Sequence, residues 1–173
     1  MIEKNRHRAV KEALRELNYD VYQTHRRWMQ YALKLARIAG ELEEIPVGAV
    51  IINRQGKIVA EAANRKVRER DPTAHAEMLA IRTATKKHSL YLSDCTLYVT
   101  LEPCPMCAGA IIQARLKRLV YGADDPKTGA VRSVINLPDG YCSNHRLQVL
   151  AGIEGSACRQ QLETWFGDRR RQR

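Results

Sequence analysis

Apolar and polar positions change their period along this chain, and the changes predict where helices and strands lie. Over 23–40, apolar side chains recur every three or four positions, which is typical of a helix with one buried face, and Gly40 is a suitable end. Two short apolar runs follow, 47–53 and 57–62, separated by Arg54-Gln55-Gly56. Such a short glycine-containing connection favours a tight hairpin. The first half of the chain is therefore predicted to contain one amphipathic helix and a β-hairpin.

Beyond the hairpin, predicted helices and strands alternate. In order, they are a helix over 74–84, a strand over 96–101, a helix over 108–114, strands over 118–121 and 147–150, and a helix over 156–171. This alternation favours parallel neighbouring strands and a layered α/β domain. We predict one domain over 23–168, preceded by a basic extension, 1–22, and followed by a basic tail, 169–173. Apolar residues of the extension have helical spacing, which predicts a short amphipathic helix there.

Four residues form a motif with metal-ligand spacing. A His-x-Glu occupies 75–77, and a Pro-Cys-x-x-Cys occupies 103–107. One imidazole and two thiolates suit tetrahedral zinc, and no fourth ligand stands nearby in sequence. A structural zinc site fills its fourth position with protein, whereas a catalytic one leaves it for water. We therefore predict that His75, Cys104 and Cys107 bind one catalytic Zn²⁺ per subunit.

Both halves of this motif are predicted at helix N-termini. Asp71-Pro72-Thr73 offers a capping carboxylate and a proline for a helix that carries His75 and Glu77 in its first turn. Pro103 and Pro105 are predicted in the first turn of the helix that follows. The positive ends of two helix dipoles would then face the metal and stabilise thiolate ligands.

A carboxylate beside a zinc site suits the hydrolytic removal of an amino group from an aromatic ring. Zinc lowers the pKa of a coordinated water to about 7, while the ring nitrogen and the departing ammonia both need protons. Glu77 is not a predicted ligand, so we predict that it carries these protons. The combination of motifs is the general signature of zinc-dependent nucleobase deaminases.

Further blocks of sequence extend this comparison over roughly 23–170. They are Pro46–Val50, Asn64, Asp71–Glu77, Leu97–Cys104, Met106–Ala110 and Lys127–Ala130. In these blocks the chain resembles the cytidine deaminase superfamily, and more closely the bacterial TadA-type tRNA-specific adenosine deaminases. The resemblance implies a homodimer and a three-layer α/β/α cytidine-deaminase-like fold around a mostly five-stranded mixed sheet.

The resemblance also implies a reaction and a set of roles. The reaction is conversion of adenosine to inosine at the wobble position of a tRNA anticodon, with arginine tRNA of anticodon ACG as the expected substrate. The implied zinc ligands are His75, Cys104 and Cys107, and the implied proton shuttle is Glu77. Asn64 matches an asparagine that contacts the target nucleotide. We further predict substrate contacts at Ala76, Asp125 and Lys127.

Charge and cysteine content agree with a cytoplasmic RNA-binding enzyme. The net charge of +10 favours a polyanionic partner, such as the anticodon stem-loop of a tRNA. Four basic residues between Asn64 and His75 are predicted to flank the mouth of the zinc site: Arg65, Lys66, Arg68 and Arg70. Five cysteines, two of them assigned to zinc, argue against a disulfide framework. No apolar run is long enough to predict a membrane span.

Two alternatives remain open from the residues alone. The same zinc and glutamate serve cytosine and adenine alike, so the substrate can instead be cytidine, deoxycytidylate or another nucleobase. The second alternative is a zinc-containing module that binds RNA without catalysis. It is less favoured because a structural zinc site would need a fourth protein ligand.

Overall fold

The computed structural model describes residues 18–171, in which a five-stranded sheet lies between two pairs of helices. The elements in chain order are α1 (Tyr19–Glu41), β1 (Gly48–Ile52), β2 (Ile58–Ala63), α2 (Ala76–Lys87), β3 (Thr96–Leu101), α3 (Pro105–Gln113), β4 (Arg118–Ala123), β5 (Gln148–Ala151) and α4 (Gly155–Arg171). The strand order is β2-β1-β3-β4-β5. β1 pairs antiparallel with both β2 and β3, whereas β3, β4 and β5 are parallel. The predicted mixed sheet, hairpin and parallel neighbours are confirmed.

Alternate side chains of the central strands fill two separate cores, one on each face of the sheet. In β1, Ala49 and Ile51 pack with α2 and α3, whereas Val50 and Ile52 pack with α1 and α4. β3 follows the same alternation, and so does β4 as far as Tyr121. A strand that is buried on both faces has apolar residues at successive positions, which explains why the sequence of β1 lacks polar residues. The predicted α/β/α layering is confirmed.

The N-terminus of α2 differs from the prediction. The helix begins at Ala76, and His75 is its N-cap residue. Asp71 Oδ1 accepts hydrogen bonds from the backbone nitrogen and the hydroxyl of Thr73, each at 2.7 Å, in a turn that precedes the helix. The prediction that Asp71 caps α2 with Pro72 in its first turn is therefore wrong. Short polar side chains bond readily to nearby backbone and so stabilise turns in competition with helices.

The N-terminus of α3 was predicted more closely. Pro105 occupies the first turn, Cys104 is the N-cap residue, and Pro103 lies before the helix. The helix therefore starts earlier than the predicted 108–114. Its proline donates no backbone hydrogen bond, and the first turn of a helix is where that donor is not needed.

Both ends of the predicted domain need adjustment. Residues 19–22 belong to α1 and not to an extension, while the helix predicted in the extension falls outside the described residues. α4 runs to Arg171, so the first part of the predicted basic tail is helical. The Arg169 guanidinium lies 4.3 Å from the ring centroid of Trp165, and it also forms an ion pair with Glu43 at 2.7 Å. Among the described helices, none is long and apolar enough to cross a membrane.

Candidate active site

The N-termini of α2 and α3 meet beside the carboxyl end of β3 and bring three metal-ligand atoms together. His75 Nδ1 lies 3.7 Å from Cys104 Sγ and 3.5 Å from Cys107 Sγ, and one ligand atom from each residue lies within 4.8 Å of the others. With typical Zn–N and Zn–S bonds of about 2.0 and 2.3 Å, neighbouring ligands of a tetrahedral zinc are about 3.5 Å apart. The three residues therefore fit a zinc ion with one position left open.

The electrostatics of this cluster suit a metal. A hydrogen bond with Cys107, followed by one with His75, lowers the pKa of Cys104 to about 4 despite partial burial. A thiolate is the form of cysteine that binds metals. Because His75 and Cys104 are the N-cap residues of α2 and α3, the positive ends of both helix dipoles face the cluster. The predicted convergence of two helix starts is confirmed.

Glu77 lies beside the cluster in the first turn of α2 and is only 4% exposed. Burial raises the pKa of its carboxyl group. A carboxyl group with a raised pKa holds a proton more readily near neutral pH, which is the property that a proton carrier needs.

A cavity of about 330 Å³ opens onto these residues, a volume within the range of small-molecule sites. Its lining consists of Ile45, Val47, Asn64, Lys66, His75, Glu77, Leu101, Glu102, Cys104, Asp125 and Thr128. Of the predicted substrate contacts, Asn64 and Asp125 line this cavity. Ala76 and Lys127 do not: Ala76 is fully buried in α2, and Lys127 is exposed with its backbone nitrogen bonded to Asp125 Oδ1 at 2.9 Å.

Two buried carboxylates that the sequence did not single out hold the walls of this cavity. Glu102, at the end of β3, accepts hydrogen bonds from the backbone nitrogens of Asp125, Val131, Arg132 and Ser133. It thereby ties the loop after β4 to the strand that precedes Cys104. Glu44, between α1 and β1, accepts hydrogen bonds from the Asn64 side chain and from the Arg68 backbone. Both are acidic residues next to apolar strands, and only their burial in the fold reveals their role.

The four basic residues predicted at the mouth of the cavity are all exposed, and one of them, Lys66, lines the cavity. Arg65, Lys66, Arg68 and Arg70 lie in the connection between β2 and α2. Lys66 lines the cavity, and Arg65 forms an ion pair with Glu69 at 3.4 Å. The connection that borders the cavity through Lys66 therefore carries four basic residues against two acidic ones, Glu69 and Asp71.

A second group of metal-ligand side chains lies away from the cavity. Asp94 Oδ1 accepts hydrogen bonds from Cys95 Sγ at 3.3 Å and from His88 Nε2 at 3.2 Å. Burial raises the pKa of the Cys95 thiol to about 12, so Cys95 is a protonated donor here. This arrangement is a hydrogen-bonded contact that closes the loop between α2 and β3.

Comparison with known proteins agrees with this geometry. The family described as the cytidine and deoxycytidylate deaminase zinc-binding region matches residues 22–123, more than half of the chain. The fold and site are thus those of a zinc-dependent deaminase. A tRNA-specific adenosine deaminase of Haemophilus influenzae is 49% identical over 146 residues, covering 84% of this chain and 84% of that protein. The chain belongs to the family of tRNA-specific adenosine deaminases, which are hydrolytic enzymes.

Solved structures give the same result and also show the breadth of the fold. One structure, from work on A-to-I editing by tRNA:A34 deaminases at the wobble position of transfer RNA, has a TM-score of 0.76 and 43% identity, and the match covers 79% of this chain and 99% of that chain. A guanine deaminase from Nitrosomonas europaea has a TM-score of 0.68 and 27% identity, with 80% of this chain and 82% of that chain covered. Deaminases of different nucleobases therefore share this architecture.

Proposed function

We propose that the protein hydrolyses adenosine to inosine at the wobble position of a tRNA anticodon, releasing ammonia. The observation that carries this proposal is the placement of the buried Glu77 next to the cluster of His75, Cys104 and Cys107, beside a cavity that Lys66 also lines. The likeness to tRNA-specific adenosine deaminases supports the choice of adenosine over other aminated rings.

In this proposal His75, Cys104 and Cys107 hold one zinc ion in each subunit. When bound, zinc supplies a Lewis acid that lowers the pKa of water to about 7 and so makes hydroxide available at neutral pH. The donor set supports this role, because three protein ligands with an open fourth position are typical of catalytic zinc.

Glu77 moves the protons. Its carboxylate accepts a proton from the attacking water and delivers it to N1 of the adenine ring, and a further transfer protonates the amino nitrogen that leaves as ammonia. Its burial keeps bulk water from competing for these protons and holds its pKa above the ordinary value for glutamate. The residue thus acts first as a base and then as an acid.

The target nucleotide enters the cavity from an anticodon loop. Single-stranded loops present unstacked bases that a pocket can accept, whereas a duplex does not. Asn64 and Asp125 line the cavity and are the proposed polar contacts with the nucleoside. Ala76 and Lys127 are also proposed as substrate contacts, although neither lines the cavity. We propose that the exposed basic residues after Asn64 contact the phosphates that flank the nucleotide. Arginine tRNA with anticodon ACG is the substrate we propose.

Two further proposals rest on family membership. A homodimer and a cytoplasmic location both follow the expectation for this family. Sedimentation analysis of the purified protein, with and without bound tRNA, tests the dimer. A mass equal to one chain at working concentrations would contradict it.

The function is tested by incubating the zinc-loaded protein with full-length arginine tRNA of anticodon ACG, a hairpin of its anticodon arm, cytidine, deoxycytidine and guanine. We expect inosine in both RNAs and no change in the free compounds. Uridine or xanthine as the only product would favour the alternative nucleobase deaminases. RNA binding without any product would favour the non-catalytic zinc module.

A further inference from the structure

Glu44 has an unusual position for a charged residue that is neither a proposed metal ligand nor part of the cavity lining. Its side chain is fully buried in the connection between α1 and β1, and it is absent from the cavity lining. Its two oxygens have separate partners: Oε1 accepts a hydrogen bond from the Arg68 backbone nitrogen at 2.8 Å, and Oε2 accepts one from Asn64 Nδ2 at 3.3 Å. Burying a carboxylate is costly unless hydrogen bonds compensate for the lost water, so Glu44 depends on both of these partners.

We propose that Glu44 is a positioning residue for substrate recognition and that it acts by setting the orientation of the Asn64 side-chain amide. A carboxylate only accepts hydrogen bonds, so the amide group must turn its nitrogen toward Glu44. The amide oxygen of Asn64 is then left as an acceptor at the cavity that Asn64 lines. The group that it recognises is a hydrogen-bond donor on the nucleoside, either a ring or exocyclic N–H or a ribose hydroxyl.

The other oxygen of Glu44, Oε1, fixes the backbone of the connection that carries the basic residues. The connection that carries the basic residues is tied at its base by Asn64 N to Val47 O and by Arg65 N to Ala74 O, each at 3.0 Å. Arg68 lies in the middle of this connection, where Glu44 Oε1 holds its backbone. One buried carboxylate therefore couples the orientation of the proposed nucleoside contact to the position of the proposed phosphate contacts.

A glutamine at this position makes the inference testable, because it keeps the shape of the side chain but changes its hydrogen bonding. If its oxygen stays on the Arg68 backbone, its amide nitrogen faces Asn64, and two donors then oppose each other. Asn64 relieves this conflict by rotating its amide, which turns a donor instead of an acceptor toward the cavity. Glu44→Gln is thus expected to lower kcat/KM by about 10- to 100-fold, mainly through KM, with zinc content unchanged.

A charge-compatible pair of substitutions gives the decisive measurement. Asn64→Asp places a second carboxylate against Glu44 and should reduce kcat/KM strongly. In the Asn64→Asp background, Glu44→Gln should restore activity, because the new amide donates to the introduced carboxylate and leaves the other oxygen of that carboxylate as an acceptor. Glu44→Gln is therefore expected to lower kcat/KM of the wild type and to raise kcat/KM of the Asn64→Asp variant. Glu43→Gln is the matched control, since Glu43 is the neighbouring exposed glutamate and should change kcat/KM by less than about twofold.

This inference rests on the proposed function only for the identity of the substrate. All of these variants are assayed on whichever of the RNA or free nucleobase substrates the wild type converts. The assay of the wild type therefore tests the proposed substrate, and the comparison of the variants tests the role of Glu44. If Glu44→Gln fails to rescue Asn64→Asp, or if Glu44→Gln and Asn64→Ala reduce kcat/KM by independent factors that multiply, Glu44 does not act through Asn64. Zinc content and the midpoint of thermal unfolding identify any variant that has lost its fold.

Discussion

At the scale of single residues, the environment of each side chain assigns its role. Glu77 and Glu102 have the same chemistry and are almost equally buried, but their partners differ. The oxygens of Glu102 accept four backbone hydrogen bonds, so its charge is used to hold a loop. Glu77 faces the metal-ligand cluster and the cavity, where its burial raises its pKa and leaves it suited to carry a proton.

Replacing Glu77 by glutamine should separate metal binding from turnover. The variant keeps the three proposed ligands, so zinc content and tRNA binding should be unchanged. Loss of the proton carrier should reduce kcat by about 10²- to 10⁴-fold. Metal analysis, a filter-binding assay and inosine formation measure the three properties, with Glu163→Gln on the exposed face of α4 as the control. Near-normal turnover by Glu77→Gln would remove the proton-shuttle assignment.

His25 should make the stability of the protein depend on pH. Its Nδ1 is hydrogen-bonded to the Tyr98 hydroxyl at 2.9 Å, and burial, together with the charge of Arg118, lowers its pKa to about 4. In the unfolded chain its pKa is near 6.5, so the unfolded state binds the extra proton first as the pH falls. Stability from this residue is complete above pH 6.5 and is lost between pH 6.5 and 4.

The corresponding measurement is the free energy of unfolding in denaturant at pH 7 and pH 5. The wild type should lose about 2 kcal/mol through His25 over this interval. His25→Gln can still bond to Tyr98 but does not titrate, so it should lose about 2 kcal/mol less. Equal losses in both proteins would show that His25 stays protonatable in the folded state.

At the scale of elements, close packing of α1 on β1 depends on a residue without a side chain. A Cβ atom at Gly48 would lie 2.1 Å from the Ala32 backbone oxygen and 2.5 Å from the Ala36 backbone nitrogen. These are backbone atoms of α1, so they cannot move aside as a flexible side chain can. The helix therefore approaches the strand more closely than any other residue at this position would permit.

Gly48→Ala should destabilise the protein by about 1–3 kcal/mol or more, as overpacking generally does. Gly167→Ala in α4 is the matched control, because a Cβ there meets no atom within 4 Å. The control should be stabilised by about 0.5–1 kcal/mol, since alanine is the better helix former. Denaturant unfolding measures the stabilities of Gly48→Ala and Gly167→Ala. Equal stabilities would contradict the close approach of α1 to β1 at Gly48.

At the scale of the whole molecule, the net charge of +10 is useful to the proposed function only where it reaches the substrate. The connection between β2 and α2 carries four exposed basic residues, of which Lys66 lines the cavity. In the proposed function, long-range attraction by the whole chain would increase encounters with RNA, while charges near the cavity would determine how a bound loop is held.

Lys66→Ala should weaken tRNA binding and lower the slope of log Kd against log salt concentration by about 0.7, the value for one contact to a single-stranded phosphate. Lys86→Ala is the control. This residue is exposed ten positions beyond Ala76 in α2, about 15 Å further along the helix. An unchanged slope for Lys66→Ala would place the RNA elsewhere on the surface.

The sequence was sufficient for much of the fold and for the core of the site. Apolar patterning predicted the strands and their flanking helices, and for the central strands and α1 the reason is that each has one or two buried faces. The motif residues predicted the metal-ligand cluster, because zinc requires particular donor atoms. The predicted start of α2 was wrong. Asp71 can accept hydrogen bonds from the backbone of a turn as well as from that of a helix, and the local sequence does not decide between the two.

The sequence by itself determined the chemistry available to this protein: one imidazole, two thiolates and a carboxylate at zinc-deaminase spacing, in an α/β chain with excess positive charge. Only the tertiary structure decided which other residues serve that chemistry. Glu44 and Glu102 look like ordinary surface acids in sequence, and they become supports of the cavity because the fold buries them beside hydrogen-bond donors from distant segments. Ligand identity follows from local chemistry, whereas support of a site depends on contacts between residues far apart in the chain.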